Sequence, residues 1–440
     1  MAVRKTDIKD YITADIHKGF YVNNKLKLNT IIKEYEKIEQ ILNKLNYLSC
    51  ITIQIIYLRK IENIYGSITY NDILNHIASM LKAIKNSEFR KEDILIVDIF
   101  DVDSFVIFLS SPRNSDTHLL DHLENISERI WIGIQEELFR LLYPILKEDI
   151  KVSIGYNLII KNPMIDNLHL VMQMMSDSKK MADYTLAKRD HIRRYTLQKI
   201  IINQEIYSVF QPIVDLRDLN IIGYEAISRG PKGTEYSSPQ MLFALALECG
   251  LSFELDRLCR KKAFESAQHF KTNSKIFVNT LATTIHDPEF RGYYLKELLE
   301  DLKIKPENVV FEISEKMFIE NHDMFKAALK DYTDIGIIHT DDNLAKGYSD
   351  LERVMELNPG YLKIDISLVQ DIHKSFIKQE MMKAVSNLAE NIGSKVIAEG
   401  IETKSEYEML VSLGIKYGQG FLFARPSEDL DSIQKNFQKI

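Results

Sequence analysis

Oxygen-bearing side chains recur at the ends of short apolar runs in the second half of the chain. GYEAI carries Glu225, IFVN Asn279, VVFEISE Glu312 and Glu315, and GIIHTDD Asp341 and Asp342. YLKID carries Lys363 and Asp365, KVIAEGIE Glu399 and Glu402, and YGQG Gln419. Apolar runs of this length are buried, and carboxylates at their ends need a cation or a hydrogen-bonded partner. Glutamate, aspartate and the asparagine carbonyl are hard oxygen donors, suited to Mg²⁺ or Mn²⁺ and poorly suited to copper. Adjacent Asp341 and Asp342 can serve two ions. Such a pair activates a water and stabilises the leaving oxygen of a phosphodiester. Lys363 has two readings: it orients the attacking water and offsets phosphate charge, or it forms a structural ion pair with Asp365. His286 and His339 stand alone, and a packed role suits His339 better than a catalytic one.

These residues need elements that bring them together. Eight strand candidates follow one another from about Ile200: VFQPIV, IIGYEAI, KIFVNT, VVFEIS, IGIIHT, YLKIDI, KVIAEG and QGFLFA. Helical segments such as FELDRLCRKKAFESAQHF and QEMMKAVSNLAENIG separate most of them. Strand–helix alternation over this length predicts an α/β fold, a TIM-type (β/α)8 barrel, in which reacting groups sit at the C-terminal strand ends. The candidates are spaced from 20 residues (Glu399 to Gln419) to 54 (Glu225 to Asn279), which suits one contribution per βα unit. Only DLRDLN separates the first two strands. Six residues cannot hold a crossover helix, so one antiparallel strand is expected.

The 440 residues point to two domains. Residues 1–28 read as an N-terminal extension, 29–190 as an α/β domain, 191–200 as a charged linker (within KRDHIRRYTLQKI) and 201–440 as the barrel. In the first domain CITIQIIYL reads as a strand and NDILNHIASMLKAI as a helix burying Ile73, Ile77, Met80 and Leu81. ILIVDIFDVDSFVIFLS reads as two strands meeting near Asp101. NISERIWIGIQEELFRLLYPIL and MQMMSDSKKMADYTLAKRD read as helices, with KVSIGYNLI as a strand between them. The net charge of −7 argues against an extended nucleic-acid surface but admits a small anionic ligand held through cations. Cys50, Cys249 and Cys259 form no CxxC pair and read as free thiols of a reducing cytoplasm. The N-terminus has no continuous apolar core and does not read as a signal peptide. No stretch is apolar for long enough to predict a membrane span.

Beyond these strand ends, the second half resembles the EAL domain, the cyclic di-GMP phosphodiesterase family. The matches run in order: QPIVDL with Gln211, YEAISR with Glu225 and Arg229, FVN with Asn279, FEISE, DD with GYSDL, LKID, AEGIET and QGFLFARP. The resemblance implies hydrolysis of cyclic di-GMP to pGpG with two Mg²⁺ or Mn²⁺ ions. It implies metal ligands at Glu225, Asn279, Glu312, Asp341, Asp342 and Glu399, and Lys363 at the hydrolytic water. It implies Glu315 as support for the loop after the aspartate pair. Gln211, Arg229, Glu402 and Gln419 match substrate-side or supporting positions. Family members often dimerise through the barrel, which implies a homodimer.

Two departures stand out. EAI replaces EAL, a volume-keeping change. The usual DDFGTGYSSL is here DDNLAKGYSDL, so Asn343 and Leu344 replace Phe and Gly, and one residue is added. Leucine resists backbone angles that glycine permits. Lys346 adds a charge that either contacts phosphate or is solvated. The first half resembles a degenerate GGDEF domain, the nucleotidyl cyclase fold, with DVDSF (Asp101 to Phe105) where the family has GGDEF. The lost glycines imply no cyclase activity, leaving regulation, dimerisation or partner binding. Arg90 to Asp93 has the RxxD form of a product-inhibition site, at an offset that reads as chance. Against hydrolysis stand a catalytically silent cyclic di-GMP receptor and a scaffold that binds no nucleotide.

Overall fold

The computed structural model describes residues 22–23, 26, 28–56, 58–98, 103–110, 119–146, 151–268, 274–281, 287–314, 329–344, 359–431 and 433. Side chains within the described elements are left aside at 22–23, 119–121, 136, 143–146 and 341–344. The chain divides into two compact units, Met1–Ile192 and Arg193–Ile440.

In the first unit the elements run β1 (Val22–Asn23), β2 (Leu28–Asn29), α1 (Ile31–Leu45), β3 (Tyr47–Ile55), α2 (Leu58–Glu88), β4 (Ile94–Val97) and β5 (Ser104–Leu109). Then come α3 (Leu119–Leu146), β6 (Val152–Ile160) and α4 (Asn167–Ile202). Strands β4-β5-β3-β6 form one antiparallel sheet. Side chains alternate across β3, so it feeds two cores. Ile51, Ile53 and Ile55 share one with Ile73, Ile77 and Leu81 of α2 and Ile126, Ile130 and Ile134 of α3. Leu48 and Cys50 share the other with Ile38 and Leu42 of α1 and Met174 of α4. Helices therefore cover both faces of the sheet. Leu26 and Leu28 are buried in the first of these cores. Residues 191–200 belong to the continuous helix α4, inside which the boundary between units falls. Asp93 is buried and accepts from the Arg90 and Ser110 backbone N–H groups at 2.8 and 2.7 Å, a structural anchor within the RxxD run. Asp101 lies outside the described residues.

The second unit contains β7 (Tyr207–Asp215), β8 (Ile221–Arg229), α5 (Pro239–Cys249), α6 (Ser252–Ala267), β9 (Lys275–Leu281), α7 (Gly292–Asp301), β10 (Val309–Ser314) and β11 (Ile338–Leu344). It continues with β12 (Tyr361–Ile364), α8 (Ile366–Val369), α9 (Phe376–Asn391), β13 (Lys395–Ala398), α10 (Lys404–Ser412) and β14 (Tyr417–Gly418). The eight strands close into a barrel in the order β10-β11-β12-β13-β14-β7-β8-β9. As the short DLRDLN connection requires, β7 runs antiparallel to β8 and to β14, and the other neighbours are parallel. Among the described residues no helix is long and apolar enough to cross a membrane.

Candidate active site

Ile213, Phe277, Val310, Tyr361, Ile397 and Tyr417 form an apolar layer contributed by six barrel strands. Along a strand the residue two positions away shares the same face. Two positions toward the C-terminal mouth of the parallel strands stand Asn279, Glu312, Lys363, Glu399 and Gln419. On the reversed β7 the corresponding step is backward, from Ile213 to Gln211. The polar group is thus the next layer of the barrel interior, stacked on an apolar floor. Glu225 joins it from β8.

Lys363 is 1% exposed, and its Nζ lies 3.2 Å from Glu225, 2.8 Å from Glu312 and 2.6 Å from Glu399. Asn279 Nδ2 donates to Glu225 Oε1 at 3.1 Å, and Gln419 Nε2 donates to Glu225 Oε2 at 2.8 Å. Gln419 Nε2 also donates to Gln211 Oε1 at 2.9 Å, and Gln211 Nε2 donates to the Ala424 carbonyl at 3.1 Å. Five strands and the segments after β13 and β14 therefore meet in one hydrogen-bonded and ion-paired group. Burial alone would raise the Glu225 carboxyl; the Lys363 ammonium and the donors from Gln419 and Asn279 outweigh it and hold the group below its ordinary value.

Three carboxylates around one ammonium leave the group negative when all are ionised. Such a group calls for further positive charge. Its donors are carboxylate and amide oxygens, with neither thiolate nor imidazole, and Asn279 uses its nitrogen on Glu225 so that its carbonyl oxygen is the donor left for a cation. Among the described residues no three His, Cys, Asp or Glu already enclose a metal-sized site, and the three glutamates converge on the lysine instead. Donor chemistry and charge fit a hard divalent cation.

Other sequence-derived candidates lie differently. Arg229 ends β8 half-buried, with its Nη1 donating to the Ser228 carbonyl at 3.1 Å, outside the glutamate group. Glu402 is exposed, and its backbone N–H donates to Glu406 at 3.1 Å. Asp341 and Asp342 lie on β11, where Asp341 pairs in register with Ile313 and Leu362; their side chains are outside the described residues, as is Glu315. His339 is buried on β11. Asp365 caps α8 by accepting from Ser367 N at 2.9 Å, so the structure supplies Asp365 with a capping role.

Two supporting groups escape a reading based on strand ends. Arg260 of α6 is fully buried, with Nε 2.9 Å from Asp256 and Nη2 3.0 Å from Asp287. Asp256 Oδ1 also accepts from Leu281 N at 3.2 Å, two residues beyond Asn279. Glu406 is 3% exposed and closes a capping box with Thr403. Both have sequence signals, an acid four residues before an arginine and a T-x-x-E start to a helix.

Comparison with protein families matches residues 194–426 to the family described as EAL domain. The chain belongs to the EAL-domain family. It is 28% identical over 235 residues to the cyclic di-GMP phosphodiesterase PdeR of Escherichia coli strain K12, a match that covers 52% of this chain and 35% of PdeR. It is also 28% identical over 218 residues to the blue light- and temperature-regulated antirepressor BluF of the same organism, covering 49% of this chain and 53% of BluF. The chain thus spans about half or less of the length of these relatives. The crystal structure of the Xanthomonas citri FimX EAL domain in complex with c-diGMP shares the fold at 20% identity, with a TM-score of 0.50, covering 55% of this chain and 95% of that domain.

Proposed function

We propose that this chain is a cyclic di-GMP phosphodiesterase that hydrolyses its substrate to pGpG, using two Mg²⁺ or Mn²⁺ ions. The observation that carries the reading is the Lys363 ammonium within 3.2 Å of Glu225, Glu312 and Glu399 at the C-terminal ends of the barrel strands. Glu225, Asn279, Glu312, Asp341, Asp342 and Glu399 would hold the ions. When bound, such ions supply a water made nucleophilic at neutral pH and charge stabilisation at the leaving oxygen. Lys363 then orients the attacking water and offsets phosphate charge, a role suited to a dry, donor-rich ammonium. Gln419 and Gln211 fix the Glu225 carboxylate through their shared hydrogen bonds. Arg229 and Glu402 face the substrate, and Glu315 supports the loop after Asp342.

The first unit is a degenerate GGDEF-like domain with a regulatory role. Its order of strand, helix, hairpin, helix, strand and helix supports this, as does the sequence DVDSF, whose Ser104 and Phe105 open β5. The protein works in the cytoplasm as a homodimer joined through its barrels; its free thiols Cys50, Cys249 and Cys259 suit that compartment.

The test is incubation with cyclic di-GMP and Mg²⁺ or Mn²⁺, with pGpG followed by chromatography. Turnover that disappears in Glu225→Ala supports the enzyme. A second reading, a catalytically silent cyclic di-GMP receptor, is favoured by the altered DDNLAKGYSDL segment and by the kinship with an antirepressor. Tight binding without pGpG would establish it in place of hydrolysis. Absence of binding with either metal would overturn both.

A further inference from the structure

The loops that follow β12 and β13 are joined by one buried carboxylate. Glu406, at the third position of α10, accepts from the backbone N–H groups of Glu402 at 3.1 Å and Thr403 at 3.0 Å through Oε2. Its Oε1 accepts from Asp371 N at 2.9 Å. A capping box explains the Thr403 bond, matched by Glu406 N donating to Thr403 Oγ1 at 3.3 Å. It does not explain the bond to Asp371, which lies in the preceding βα loop. Asp371 has φ 56° and ψ 24°, a left-handed conformation that aspartate adopts more readily than most L-residues.

The same two loops interlock at a second place. Gly400 has φ +70°, and a Cβ built there would fall 2.3 Å from Ile366 Cγ1. The bare backbone of one loop thus receives a side chain of the other. The contact continues to the segment after β14: Ile401 N donates to the Gln419 carbonyl at 3.0 Å, and a Cβ on Gly420 would fall 2.0 Å from the Ile401 carbonyl oxygen. Burial by itself would push the Glu406 carboxyl up, yet the N–H donors of Asp371, Glu402 and Thr403 hold it below its ordinary value. The loops therefore close around an anion.

We propose that Glu406 is a positioning residue that locks the loops after β12 and β13 into one unit and thereby sets Glu402 at the substrate side of the site. The kinetic part rests on the phosphodiesterase reading. Lys363 and Glu399 do not depend on Glu406, because the strand ladder sets them: Lys363 pairs in register with Ile397, and Glu399 N donates to the Ile364 carbonyl at 3.0 Å. Loss of the clasp should consequently change substrate binding and spare the chemical step.

The test compares the full chain with Glu406→Gln, Gly400→Ala and Thr403→Ala. Glutamine satisfies most donors with its carbonyl oxygen on the N–H groups of Glu402 and Thr403, which turns its NH₂ toward Asp371 N and releases the loop after β12. In Glu406→Gln, hydrogen–deuterium exchange in the peptide 366–375 should speed by about tenfold, the worth of one lost backbone bond. KM for cyclic di-GMP should rise about fivefold or more, with kcat within about twofold of the parent. Gly400→Ala, acting on the other contact, should also raise KM. Thr403→Ala removes only the hydroxyl and should leave both the exchange of 366–375 and KM near the parent. Unchanged exchange in Glu406→Gln overturns the proposal, as does a Thr403→Ala variant that matches Glu406→Gln in KM. A parent chain without pGpG formation would sink the phosphodiesterase reading alone, since the exchange measurement still decides the clasp.

Discussion

The buried ammonium of Lys363 is the residue on which the site turns. A lysine taken out of water is costly unless anions surround it, and Glu225, Glu312 and Glu399 do so within 3.2 Å. Each of these carboxylates faces the same charge, so removing the lysine changes the field at all three. On the proposed function, Lys363→Ala should lower kcat by about 10²–10³, the range for a group that acts on a proton or a nucleophile in the transition state. KM for cyclic di-GMP should move by no more than a few-fold, because the ammonium is engaged by three carboxylates and its proposed role is at the attacking water. Steady-state pGpG formation across substrate concentrations separates the two parameters. Equal losses in binding and turnover would make Lys363 a substrate anchor instead. Gln211 and Gln419 show the reverse logic, since their amides are already used on each other, on Glu225 and on the Ala424 carbonyl. Their visible work is to hold a carboxylate in place.

Elements hold those residues through ties that differ in kind. The network of Asp256, Arg260 and Asp287 fastens α6 to both Leu281 and the start of the 3₁₀ turn Pro288–Phe290. Arg257 adds a second guanidinium on Asp287, at 2.8 and 2.5 Å. Arg260→Ala leaves two buried carboxylates short of a partner and should destabilise the barrel by about 3–5 kcal/mol in chemical denaturation. Burial would raise the Asp287 carboxyl, but Arg257, the Glu289 N–H and Arg260 hold it low. A depressed folded pKa contributes stability above the unfolded value, about 4, and loses it as pH falls through the folded one. Asp287→Asn should accordingly be less stable than the parent at pH 7, with the gap closing below about pH 4. At the end of β11, Leu344 pairs with Ile364 after a register shift that begins at Asp341. Replacing Asn343–Lys346 by Phe-Gly-Thr restores the glycine and the shorter spacing, and on the proposed function should raise pGpG turnover about threefold or more, since such loops set kcat in many enzymes. The strands and the barrel were legible because apolar runs ending in polar residues repeat with period two, and the six-residue connection announced the reversed strand. The start of α2 at Leu58 was not legible, because LRKIENIYG is largely polar on its surface and breaks at Gly66 (φ 81°, ψ 168°). Glu406 and Arg260 were not singled out because their roles are tertiary: a cap that also reaches Asp371, and an i,i+4 pair that also reaches Asp287.

Over the whole molecule, each unit carries cores of its own. The first is built on β3 with α1, α2 and α3. The barrel has its apolar floor and its outer layers, among them a cluster in which Leu197 and Ile200 pack with Leu242, Leu245 and Leu255. Leu197 and Ile200 lie on the C-terminal part of α4, beyond the boundary after Ile192. A fragment spanning 193–440 keeps them and loses no residue of the barrel cores. It should therefore fold alone, unfolding in one cooperative transition within about 5 °C of the corresponding transition in the full chain, as expected where a domain keeps its own core. The proposed regulatory role of the first unit then has a direct measure, the ratio of pGpG turnover per barrel in the fragment to that in the full chain. A regulatory domain shifts that ratio away from one, by about fivefold where the coupling has the usual size of allosteric effects. A ratio of one with both proteins folded would assign residues 1–192 a role apart from catalytic control. A fragment that fails to fold would show that the helix running through the boundary carries stability across it, and the same comparison would then be made in the full chain with α4 broken by Arg193→Pro.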